Sequence, residues 1–191
     1  MDRVREIAAA IARLAPEEKA RLFELLTTRG DLPGRTTVPT TAVEPPAPIS
    51  SSSQRPRSPD YVLTFDGGSR GNPGQGYGSY LLIRVQDGAQ LLQRLEFGDD
   101  YTNNEAEYDT LIAALQDLVG RIAKAGRQPQ EFALEVRGDS ALVINQLQGR
   151  WQAKEPRMRG RRDRCLRLLR RFGAVNLKAQ PREESVRVLG H

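Results

Sequence analysis

Between Tyr61 and Gly74 the chain changes character within a few residues, and no other stretch limits its possible folds as much. Tyr61, Leu63 and Phe65 alternate with Val62, Thr64 and Asp66, the two-residue period of a strand. Gly67, Gly68, Ser69, Arg70, Gly71, Asn72, Pro73 and Gly74 follow directly. Glycines and a proline in this density predict a turn in which the backbone comes close to a ligand. Asp66 would then end an apolar strand, within reach of a metal ion or a phosphodiester. Taken alone, Asp66 is explained equally well as the capping residue of a β-turn.

Two further acidic sites change that balance. Thr102-Asn103-Asn104-Glu105-Ala106-Glu107 opens a long helical pattern, with Ile112, Leu115, Val119 and Ile122 as its apolar stripe. Thr and Asn accept from free N–H groups at helix starts, which puts Glu107 in the expected first turn and leaves Asn103 and Asn104 open to capping or binding. Asp139, in Arg137-Gly138-Asp139-Ser140, follows the strand pattern Phe132–Val136. Carboxylates at the ends of elements far apart in sequence converge at one edge of a sheet in many folds, and hard divalent cations take such oxygen ligands.

In this order and spacing, DGGSRGNPG, TNNEAE and GDS resemble the type 1 ribonuclease H family. The resemblance covers about residues 60–188. It implies an α/β fold, a five-stranded mixed sheet flanked by helices. It also implies hydrolysis of the RNA strand of an RNA–DNA hybrid, with 5′-phosphate products and two Mg²⁺ or Mn²⁺ ions. Matched motif by motif, Asp66, Glu107 and Asp139 take the positions of three catalytic, metal-holding carboxylates, whereas Glu105 falls outside the motif position and reads as a helix-start residue. By the same analogy Gly68, Ser69, Arg70, Asn72, Asn103 and Asn104 are the expected nucleic-acid contacts. Trp151, which with Lys154 resembles the family's segment after the second helix, is expected to pack in the core.

The chain departs from the family pattern in two places. Leu189 stands where the family carries its fourth metal-binding Asp, and His191, the single histidine, lies two residues beyond. Loss of the fourth carboxylate with weakened activity, replacement by another group, and truncation all remain open. The favoured expectation is replacement by His191, as a catalytic group that binds Mn²⁺ better than Mg²⁺ or shuttles protons. Ala141 occupies a position where many relatives have Gln, which removes an expected nucleic-acid contact but leaves the metal site alone. The alternative to an enzyme is a catalytically weak module that binds hybrids or double-stranded RNA, and Leu189 is the feature that favours it.

The chain of 191 residues carries a formal charge of +5. The charge is concentrated at one end: residues 150–191 hold 13 Lys or Arg against four Asp or Glu, which fits a polyanion partner. The arginines of 161–171 also fit the solvated face of an amphipathic helix. One cysteine, Cys165, excludes an internal disulfide. No apolar run approaches the roughly 20 residues of a membrane span, so no membrane partner is expected and the localisation reads as cytoplasmic.

Three domains are expected. Residues 1–30 pattern as a helical hairpin that self-associates or binds a partner, since so small a piece buries little by itself. Residues 31–58, with six prolines and the serines Ser50 to Ser53, pattern as a disordered linker. Residues 59–191 form the catalytic domain, with strands expected at 60–67, 76–85, 90–97, 131–137 and 174–179, and helices at 103–125, 140–148, 157–172 and near the C-terminus.

Overall fold

The computed structural model describes residues 58–190. The expected hairpin, nearly all of the linker, and His191 lie outside the described residues. Five strands and four helices follow one another as β1 (Tyr61–Gly71), β2 (Gly74–Arg84), β3 (Gln90–Glu96), α1 (Asn103–Lys124), β4 (Ala133–Gly138), α2 (Ala141–Leu147), α3 (Pro156–Leu169), β5 (Ala174–Ala179) and α4 (Arg182–Leu189). The sheet order is β3-β2-β1-β4-β5. β1, β2 and β3 form an antiparallel meander, and β4 and β5 add in parallel to β1 through helical crossovers. This is the expected five-stranded mixed sheet flanked by helices.

The glycine-rich stretch is not the loop expected of it. β1 continues unbroken through Gly71, and β2 begins at Gly74, so that Gly67 pairs with Gly78 and Gly71 with Gly74. Only Asn72 and Pro73 turn the chain, across a cis peptide bond, with Gly71 at a φ of 99°. Asp66 is therefore an interior residue of β1. Close packing explains the glycine that follows it: a Cβ on Gly67 would lie 2.6 Å from the backbone of Ala106 and Glu107. A helix start rests directly on the strand there, and no side chain fits between.

Shifts at other boundaries have local causes. Pro129–Glu131 forms a short 3-10 turn, which delays β4 to Ala133. α3 begins one residue early because Pro156 occupies its first position, where a missing N–H is no loss, and it ends at Leu169. One face of α1 carries Tyr108, Leu111, Leu115 and Leu118, all buried with Leu63, Phe65, Tyr80 and Leu82 of β1 and β2. Met158, Cys165, Leu166 and Leu169 bring α3 into the same core. Each fully buried side chain of this size stabilises by about 1.5–3 kcal/mol relative to exposure. α4 packs on β1 and β2 and leaves Leu189 with no exposed surface.

Candidate active site

Register places two of the three carboxylates. Phe65 is the last residue of β1 in the parallel ladder with β4, and its partner is Gly138. The next residue of each strand is an aspartate, so Asp66 and Asp139 leave the ladder side by side. The close approach of Gly67 to α1 brings Glu107 over the same spot. Carboxylate oxygens of Asp66, Glu107 and Asp139 all lie within 4.8 Å of one another. The three acidic positions singled out in the sequence therefore do converge, with Glu107 at the fifth residue of α1, just past its first turn.

Burial and its two acidic neighbours disfavour ionisation of Glu107. Burial is the main reason that the Glu107 carboxyl is pushed up to about 8; the Ser140 hydroxyl bonded to it and the Arg182 charge pull down, while Asp139 and Asp66 push up. Glu107 Oε2 is buried without a hydrogen-bond partner. A buried, unsatisfied oxygen on one of three converging carboxylates is what a hard cation relieves. The donor set thus fits a hard divalent ion, which Asp66, Glu107 and Asp139 could hold. Arg182 of α4 reaches Asp139 at 3.8 Å and contributes the cationic neighbour of the cluster.

The expected nucleic-acid residues gather beside this cluster. Ser69 donates its N–H to Asn103 Oδ1 at 2.8 Å and its hydroxyl to the same oxygen at 3.0 Å. Asn72 Oδ1 accepts from the Asn103 N–H at 3.3 Å. Arg70 donates to Gln75 at 3.0 Å and lies over the Tyr77 ring, and Gly68 packs under the Tyr77 hydroxyl. Asn103 and Asn104 are exposed at the start of α1. Neither of them caps the helix. Thr102 accepts from the Glu105 N–H at 3.3 Å, and Glu105 Oε2 accepts from the Thr102 N–H at 3.0 Å, a reciprocal capping box. Asn103 instead ties the β1–β2 hairpin to the helix.

One expectation fails here and two residues were missed. Trp151 is 44% exposed rather than packed, two residues after Gly149, whose φ of 74° ends the run of α2. Leu189, which the resemblance sets at the fourth-carboxylate position, is fully buried. Ser140 and Arg182 were not singled out as site residues. Ser140 adjoins Asp139 and caps α2, a signal that the sequence does offer; Arg182 gives none without the fold.

A five-stranded sheet of this order, with carboxylates converging where β1 and β4 part, defines the ribonuclease H-like class. A family model described as reverse transcriptase-like matches residues 64–188. A ribonuclease HI of Halobacterium salinarum is 36% identical over 147 residues, covering 74% of this chain and 67% of the relative. The chain belongs to the type 1 ribonuclease H family. A bifunctional protein of Mycobacterium tuberculosis is 35% identical over 122 residues, 63% of this chain but only 31% of that longer protein. A ribonuclease H1 isolated from compost, solved in complex with an RNA/DNA hybrid, superposes with a TM-score of 0.57 at 30% identity, covering 66% of this chain and 89% of that one. Among the described residues, no helix is long and apolar enough to cross a membrane.

Proposed function

We propose that this protein is a metal-dependent endoribonuclease that hydrolyses the RNA strand of RNA–DNA hybrids. The carrying observation is the convergence of Asp66, Glu107 and Asp139 within 4.8 Å, one oxygen of Glu107 being buried and unsatisfied. The hybrid-bound relative supports the substrate class. Two bound divalent ions supply charge neutralisation at the scissile phosphate and an activated water. Asp66, Glu107 and Asp139 would together hold these ions through their converging carboxylates. Ser140 orients Glu107 through its hydroxyl. Asn72, Asn103 and Asn104 present amides beside the carboxylates, and base edges and 2′-hydroxyls in a minor groove supply their partners. His191 is proposed to lie near the position that Leu189 leaves without a carboxylate. Residues 1–30 are proposed as a separate helical module on the linker 31–58, and double-stranded RNA as a second ligand.

Cleavage of a labelled hybrid with Mg²⁺ and with Mn²⁺ tests the reading, for the intact chain and for Asp139→Asn. RNA-strand cleavage that Asp139→Asn lowers by two or more orders of magnitude is the expected result. Tight hybrid binding without cleavage by either metal would instead make the protein a reader of hybrids, the outcome that buried Leu189 favours. Deleting His191 separates the remaining question, since unchanged rates with both metals would remove it from the mechanism.

A further inference from the structure

Glu105 stands outside the carboxylate cluster, yet it is only 3% exposed and uses both of its oxygens. Oε2 belongs to the capping box, accepting from the Thr102 N–H and hydroxyl at 3.0 Å each. Oε1 faces α3: it accepts from Arg161 Nη1 at 3.2 Å and lies 3.6 Å from Arg157 Nη1. Arg161 in turn spans to Asp109 one turn further along α1, at 3.0 Å, and its guanidinium lies over the Tyr101 ring. The backbone of Tyr101 pairs with Gly74 at the end of the β1–β2 hairpin. Around a pocket lined by Asp99, Asp100, Tyr101, Glu105, Arg157 and Arg161, the stretch that opens α1 is thus joined to α3 by one carboxylate and one guanidinium, while the Tyr101 backbone links that stretch to the hairpin.

We propose that Glu105 and Arg161 are positioning residues for substrate: they pin the first turn of α1 to α3 and so hold Asn103, and through it Ser69 and Asn72, at the edge that receives the nucleic acid. The inference deepens the hydrolase reading and rests on it for the identity of the ligand. Glu107 is held independently, by the contact of Gly67 with the helix backbone and by Ser140. Loosening the pin therefore disturbs binding and spares the carboxylate geometry.

The sign of one variant separates this role from plain electrostatics. Glu105→Gln still closes a capping box, so the helix start is retained, but it removes a negative charge near a polyanion and releases two arginines. Electrostatics alone lowers KM for a hybrid; loss of positioning raises it. The expected result is a rise in KM of about three- to tenfold, with kcat within about twofold and Mn²⁺ affinity unchanged. Arg161→Lys keeps the charge but not the fork that bridges Glu105 and Asp109, and reproduces the rise in part. Amide exchange gives a readout independent of cleavage. The Ser69 and Asn103 N–H groups, bonded to Asn103 and Asn72, exchange several-fold faster in Glu105→Gln than in the parent. A lower or unchanged KM, or unaltered exchange at both amides, would overturn the proposal. If the parent chain cleaves no hybrid, the hydrolase reading falls, and the exchange measurement still decides whether the pin exists.

Discussion

Glu107 shows how much one side chain owes to its neighbours. Its carboxyl is held near 8 by burial first, then by Asp139 and Asp66, against an ordinary value of 4.5. In the unfolded chain it ionises in the ordinary carboxylate range. Between those two values the folded metal-free protein binds the extra proton, so its stability falls as pH rises, by up to about 1.4 kcal/mol per pH unit. The stabilising contribution is complete below pH 4.5 and is lost as pH passes through about 8. Thermal melts without metal are expected to show this decline, and Glu107→Gln to flatten it. A divalent ion takes the ionised form, so binding near pH 7 should expel close to one proton. Calorimetry in buffers of different ionisation enthalpy measures that number; a value of zero would mean that Glu107 is already ionised. Glu105, two residues earlier, responds oppositely: burial pushes its carboxyl up, but Thr102, Arg161 and Arg157 outweigh it and hold it below the ordinary range.

At the scale of elements, contact between β1 and α1 builds the site. The helix start needs the capping box for its free N–H groups and needs Gly67 for room. Gly67→Ala would force a methyl carbon against the backbone of Ala106 and Glu107, where neither partner is a flexible side chain. The expected cost is about 1–3 kcal/mol in urea unfolding. A fall in Mn²⁺ affinity should accompany it, because the same displacement moves Glu107 away from Asp66. Retained metal affinity at reduced stability would show that the cluster tolerates separation of strand and helix. α4 contributes differently. Its Leu189 is packing, and its Arg182 is the cation beside Asp139. One short helix thus stabilises the sheet and tunes the cluster from opposite ends.

The whole chain divides its labour unevenly. All described elements of the site lie within residues 58–190, and their core is continuous from β1 to α3. Removing residues 1–58 is therefore expected to leave a cooperatively melting protein with kcat unchanged within about twofold. If the N-terminal module acts as a tether, the same truncation raises KM through loss of effective concentration. Steady-state kinetics of the two forms on one hybrid check both statements, and a collapse of kcat would place part of the active site in the removed segment.

Much of this was legible in the sequence because its causes are local. Alternation in Tyr61–Asp66 and the apolar stripe from Ile112 to Ile122 each act within a few residues, and those elements formed where expected. The three carboxylates were identified by motif. Gly67 misled because glycine signals a turn when its cause is local, whereas here its cause is a helix packed on the strand from more than 30 residues away. Trp151 misled because hydrophobicity favours burial without saying whether a neighbouring element arrives to cover the ring, and the residue is 44% exposed. The sequence by itself determined the elements, their caps and the residue types able to hold a divalent ion. The tertiary structure alone decided their convergence, since a parallel register between β1 and β4, a strand pressed against a helix start, and an arginine brought from α3 to Glu105 are all non-local contacts that no spacing along the chain encodes.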